Sequence, residues 1–141
     1  MTHRRRTTLA VSLSVVAITS AACTGSGGGD TTVDVSLKDF SIALTPAAVA
    51  PGEVTFQASN EGPTTHEFEV FSVEGDVNAN ALPVEDGVAV TDGLTLVDEI
   101  EDVTVGATPT LQLDLQPGTY AVICNLPDHY QQGMHATLTV R

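Results

Sequence analysis

The chain has 141 residues, 18 acidic against 5 basic side chains and a formal net charge of −13. That length suits one domain of ordinary size once any targeting segment is subtracted. The charge excludes a nucleic-acid binder of the usual basic kind.

In chain order, the first element is an export signal. Arg4, Arg5 and Arg6 form a positive start, Leu9 to Ile18 an apolar run, and Ser20-Ala21-Ala22 the small side chains accepted at cleavage sites. The run is too short for a permanent membrane helix, so residues 1–22 are expected to be removed. Cys23 follows at once, with the Gly/Ser-rich stretch TGSGGGD behind it. A cysteine there resembles the lipid-modified residue of bacterial lipoproteins. The resemblance implies lipidation of Cys23, a tether over 23–32, and a protein anchored on the outer face of the cytoplasmic membrane or in the periplasm. Ser20 stands where such signals usually carry leucine, and ordinary cleavage with Cys23 left free or removed is the alternative.

Loss of the signal leaves Lys38 and Arg141 as the only basic side chains, while all 18 acidic residues remain. A basic or neutral partner is expected, although the solubility of an exported surface accounts for the same charge. With Cys23 assigned to lipid, Cys124 is an unpaired thiol in an oxidising compartment. A metal is its obvious occupant.

Beyond the tether the apolar residues recur with period two. Val33, Val35 and Leu37 alternate with polar residues, and Phe40, Ile42 and Leu44 continue in a shifted register that implies a bulge or bend at Lys38-Asp39. Pro46 and Pro51-Gly52 interrupt, Val54, Phe56 and Ala58 alternate again, and Asn60 to Pro63 make a turn. His66, Phe68 and Val70 form the inward face of the next strand, with Glu67 and Glu69 outward. Residues 74–93 are acidic and without sustained period, and are read as an insertion or flap holding a short helix. Leu94 to Val105, Leu111 to Leu115 and Tyr120 to Cys124 are further strands. The last strand carries Met134, Ala136, Leu138 and Val140 on one face. The expectation is an all-β Greek-key β-sandwich of about seven to eight strands over 33–141. LQPGTY also fits a tyrosine corner, in which the Tyr120 hydroxyl bonds backbone near the preceding turn; a plain core aromatic is the alternative.

The chemistry gathers in YAVICNLPDHYQQGM. Cys124 faces inward at the end of one strand, Met134 faces inward at the start of the next, and His129 sits on the connecting loop. Three soft or borderline ligands from one connection need a fourth. Of the other histidines, His3 belongs to the signal and His135 points away from the Met134 face, so His66 supplies it. Two imidazoles, a thiolate and a weak thioether are the ligand set of a blue-copper site. Singly, each residue has a plainer reading: His66 a core histidine, Cys124 a small buried hydrophobe, His129 a loop residue, Met134 a flexible gap filler.

NEGPTTHEFEV followed by YAVICNLPDHYQQGM resembles the cupredoxin family of type 1 blue-copper proteins, including plastocyanin, azurin and auracyanin. The resemblance spans roughly residues 33–141, and its C-x4-H-x4-M spacing is similar to that of auracyanin-like members. It implies one copper ion, equatorial ligands at His66, Cys124 and His129, and an axial ligand at Met134. Many members follow the first histidine with asparagine; here Glu67 stands there, and Asn60 or Thr65 is the expected substitute for its loop-tying bonds. The implied function is single-electron carriage between redox protein partners, by a monomer, through His129 and a patch including Leu126, Pro127 and Pro63. The alternative is copper capture, storage or delivery. Catalysis is not expected, because multicopper oxidases and copper nitrite reductases need further histidines and only His135 remains.

Overall fold

The computed structural model describes residues 31–141, so the expected signal and the lipidation position Cys23 lie outside the described residues. Strands β1 (Thr31–Lys38), β2 (Ser41–Thr45), β4 (Gly52–Asn60) and β9 (Thr110–Leu115) form one sheet in the order β2-β1-β4-β9. The second sheet, β3-β11-β10-β5-β8, combines β3 (Ala48–Val49), β5 (His66–Val73), β8 (Leu94–Val103), β10 (Gly118–Ile123) and β11 (His135–Val140). A small hairpin, β6 (Val84–Glu85) with β7 (Val88–Ala89), stands apart. The class is the expected β-sandwich. The eleven strands exceed the expected seven to eight because β3, β6 and β7 are two-residue pieces, too short for alternation to mark.

The alternation decides which side chains meet between the sheets. Val33, Val35, Leu37, Val54 and Phe56 of the first sheet face Phe68, Val70, Val122, Leu138 and Val140 of the second, all buried. The Phe56 and Phe68 rings pack across the core with centroids 5.4 Å apart. Cys124, Met134 and His66 are wholly buried at one end of this core. Near the other end, Tyr120 closes the expected corner: its hydroxyl donates to the Gln116 carbonyl at 2.9 Å and accepts from the Gln116 N–H at 3.1 Å.

Three expectations need correction. The register shift near Lys38-Asp39 is a chain reversal: Lys38 pairs antiparallel with Ser41, and Asp39-Phe40 is the turn between β1 and β2. Residues 74–93 hold no helix. They contain the β6–β7 hairpin, whose turn is Asp86-Gly87 with φ of 51° and 84°, the mirror-image turn that Asp-Gly favours. This segment buries Ala79, Leu82 and Ala89 against Phe71, Ala121, Ile123 and Tyr130, a second apolar cluster on the outer side of β5 and β10. Glu69 is on the same face of β5 as Phe71 and pairs in register with Ile123, so it is half-buried rather than fully outward.

Candidate metal centre

Each ligand candidate arrives by a different local route. His66 opens β5, immediately after the loop from Glu61 to Thr65. Asn60 shapes that loop: its Nδ2 donates to the carbonyls of Thr64 (2.8 Å) and Val103 (2.7 Å), and its Oδ1 accepts from the Gly62 N–H (2.9 Å). Cys124 follows β10, and its N–H donates to the Met134 carbonyl at 3.1 Å. The Met134 N–H in turn donates to the His129 carbonyl at 3.1 Å, which folds the loop onto itself. A 3-10 turn at Tyr130–Gln132 and Gly133, with φ of 121°, carry the chain from His129 back to Met134. That φ suits glycine, and a Cβ at 133 would meet the Phe40 carbonyl at 2.9 Å.

The strand pairing and this loop bring His66, Cys124 and His129 together, although His66 and His129 are 63 positions apart in sequence. Their three ligand atoms lie within 4.8 Å of one another. The Nδ1 atoms of the two imidazoles are 3.3 Å apart, and His129 Nδ1 is 3.4 Å from Cys124 Sγ. Two nitrogens and a sulfur at such separations can each reach a common centre at the usual bond lengths of about 2.0–2.3 Å. Met134 is wholly buried beside them in sequence and backbone bonding, completing the residues expected of the site.

Burial sets the protonation states before any metal arrives. Desolvation pushes the Cys124 thiol up, partly opposed by backbone N–H bonds from Glu67 and Leu126 and reinforced by the carboxylates of Glu67 and Glu69. The Glu67 N–H stands 3.2 Å from the sulfur. Desolvation lowers the His66 pKa, opposed chiefly by the nearby charge of Asp39, so the imidazole stays neutral and able to donate a lone pair. Its Nε2 is 3.0 Å from Asp39 Oδ1, short enough for a hydrogen bond but poorly aligned for one, and this buried nitrogen has no hydrogen-bond partner otherwise. A small rotation of the carboxylate aligns the pair. The edge of the Phe40 ring meets His129, centroids 5.1 Å apart at 74°.

A sequence profile described as copper binding proteins, plastocyanin/azurin family, matches residues 31–141. The chain belongs to this family. Two imidazoles and a buried cysteine sulfur within reach of one centre are the donor set that such proteins need, so the cofactor is one type 1 copper ion and the chain is a blue-copper protein. Among solved structures this cupredoxin is similar to dithionite-reduced auracyanin from Roseiflexus castenholzii, with 22% identity and a TM-score of 0.58 over 81% of this chain and 99% of that one. Auracyanin A, described as a blue copper protein from Chloroflexus aurantiacus, gives 20% and 0.57 over 80% and 100%. Reduced rusticyanin gives 20% and 0.52 over 80% and 81%. At these identities the likeness shows the fold. No curated protein sequence matches.

Reading the sequence missed Asp39, Phe40, Thr64, Asn125 and Tyr130, all of which touch the ligand-bearing segments. The signal for the first two was present: a two-residue break between alternating runs marks a hairpin as readily as a bulge. Of the proposed substitutes for the missing asparagine, Asn60 does tie the loop before His66, though not the Cys124 sulfur, which takes its bond from the Glu67 backbone.

Proposed function

We propose that this cupredoxin is a single-electron carrier working outside the cytoplasmic membrane, in which His66 Nδ1, Cys124 Sγ, His129 Nδ1 and the Met134 thioether would hold the copper ion. The observation that carries the reading is the convergence of three ligand atoms within 4.8 Å at one end of the sandwich core. Bound copper supplies one electron's worth of Cu(II)/Cu(I) chemistry. The chain's part is to keep the donors in one arrangement for both valences, so that little reorganises when an electron passes. Burial of His66 and Cys124 keeps water from the ion, and the bonds from Glu67 and Leu126 steady the thiolate. Because burial favours the protonated thiol, metal binding releases its proton, and copper affinity falls as pH falls.

His129 is only partly buried, with Pro127 exposed two positions before it and Pro63 exposed on the loop that leads to His66. This end is the electron's port to a redox protein partner, while Leu126 is taken up by core packing. The acidic surface favours a basic or neutral partner. The mature chain begins at a lipidated Cys23, and the tether to residue 32 gives the domain reach from the membrane surface. β1 already begins at Thr31, so the last tether residues belong to the sandwich.

Adding Cu(II) to the copper-free domain is expected to give the intense thiolate-to-copper absorption. Cys124→Ser abolishes it, and Met134→Leu keeps the colour and raises the reduction potential, since losing a weak donor disfavours Cu(II) more than Cu(I). A colourless wild-type protein under these conditions refutes the reading. Cys23→Ala is expected to move the protein from the membrane fraction to the soluble fraction; unchanged fractionation refutes the anchor.

A further inference from the structure

We propose that Asp39 is a positioning residue for the copper site: its carboxylate accepts the Nε2 proton of His66, holds the ring with Nδ1 toward the metal position, and lowers the reduction potential by making that imidazole a stronger donor. The inference rests on reading His66 as a copper ligand. Which ring nitrogen is free to bind a metal is set by the bond the other one makes, and a carboxylate as that partner raises ligand basicity. Here the facing nitrogen is Nδ1, 3.3 Å from His129 Nδ1, and the far one is 3.0 Å from Asp39 Oδ1.

The carboxylate has a partner besides His66, and the turn that carries it is tied to the loop before His66. Thr64 Oγ1 lies 2.9 Å from both Asp39 oxygens, a shared donation that leaves lone pairs free for the imidazole. The strand leading to the turn is tied to the same loop: the Glu61 N–H donates to the Leu37 carbonyl at 2.9 Å, and Lys38 Nζ pairs with Glu61 at 2.9 Å. Glycine at position 62 makes the approach possible. A Cβ there would come 2.5 Å from Asp39 Oδ1 and 3.0 Å from His66 Nε2. The His66 side chain is fully buried and that of Asp39 is 16% exposed, so little water competes for the contact. The next residue of the turn, Phe40, meets His129. One two-residue turn thus stands behind both imidazoles.

The test combines a copper-free and a copper-loaded measurement on the same proteins. In the copper-free wild type, nitrogen NMR of the His66 ring is expected to show the proton on Nε2, and Asp39→Ala is expected to lose that preference. In the copper-loaded protein, Asp39→Asn, which keeps the side-chain shape, is expected to stay blue. Its ratio of Cu(I) to Cu(II) affinity should rise about tenfold, which for one electron is a potential higher by about 59 mV. Thr64→Val is expected to raise the potential by less. A blue Asp39→Asn protein with unchanged potential overturns the proposal, and so does a His66 tautomer indifferent to Asp39→Ala. Neither of those results touches the assignment of copper, whereas a wild type that never turns blue overturns the copper reading and this inference together.

Discussion

Two segments press on the ligand-bearing loop from different sides, and they do so with different chemistry. The turn Asp39-Phe40 meets the imidazoles themselves, Asp39 at His66 and Phe40 at His129. Among the described residues, the segment 74–93 makes no hydrogen bond to an expected ligand. Its bonds go to the residues between them: Asn125 pairs with the Ala89 N–H and carbonyl at 2.8 and 3.2 Å, the Asp128 N–H donates to the Gly87 carbonyl at 2.8 Å, and the Tyr130 hydroxyl donates to the Ala79 carbonyl while accepting from the Leu82 N–H, both at 2.9 Å. The Asn80 side chain reaches the far strand at His135 and Thr137. The lesson is a division of labour. The turn is placed to alter how the donors bind, and the segment to keep the loop in the shape that presents them.

That division makes its largest prediction at Tyr130. Tyr130→Phe leaves a buried N–H and a buried carbonyl without a partner, and should cost about 3 kcal/mol in denaturant unfolding while the blue absorption and the potential stay where they were. A large shift in potential would erase the distinction between the two supports.

Glu69 tests the covered face of β5. Burial raises its carboxyl to about 7, helped by Glu67 and Glu99. Between pH 4.5 and 7 the folded protein keeps a proton that the unfolded chain has released, so stability falls as pH rises through that window. Glu69→Gln should flatten this dependence. After allowance for partial exposure the flattening is worth roughly 1–2 kcal/mol, read by comparing thermal unfolding at pH 5 and pH 8. An unchanged slope would mean that the carboxyl is better solvated than its position implies.

The smallest effect belongs to Phe40→Leu, which keeps an apolar cover over His129 and removes the ring edge. The expected cost is about 1 kcal/mol or less, with a measurable change in the ring signals of His129. If the His129 signals do not move, the turn acts on His66 alone.

Much of the site was legible in the sequence because its parts obey short-range rules. Cys124, His129 and Met134 sit on one connection whose spacing is local, and strand parity put Cys124, Met134 and His66 on inward faces. The sandwich was legible for the same reason in its long strands. Residues 74–93 were not, since their two-residue strands carry no alternation, although Asp86-Gly87 between Val84 and Val88 was a usable hairpin signal.

By itself, then, the sequence determined the fold class, the inward faces and the donor types, because period two and side-chain chemistry are properties of neighbours along the chain. Only the tertiary structure decided that Asp39 backs His66, that Gly62 leaves room for it, and that 74–93 grips Asn125 and Tyr130. Those contacts join single positions across long loops, where distance in space follows from sheet packing and no repeating pattern records it.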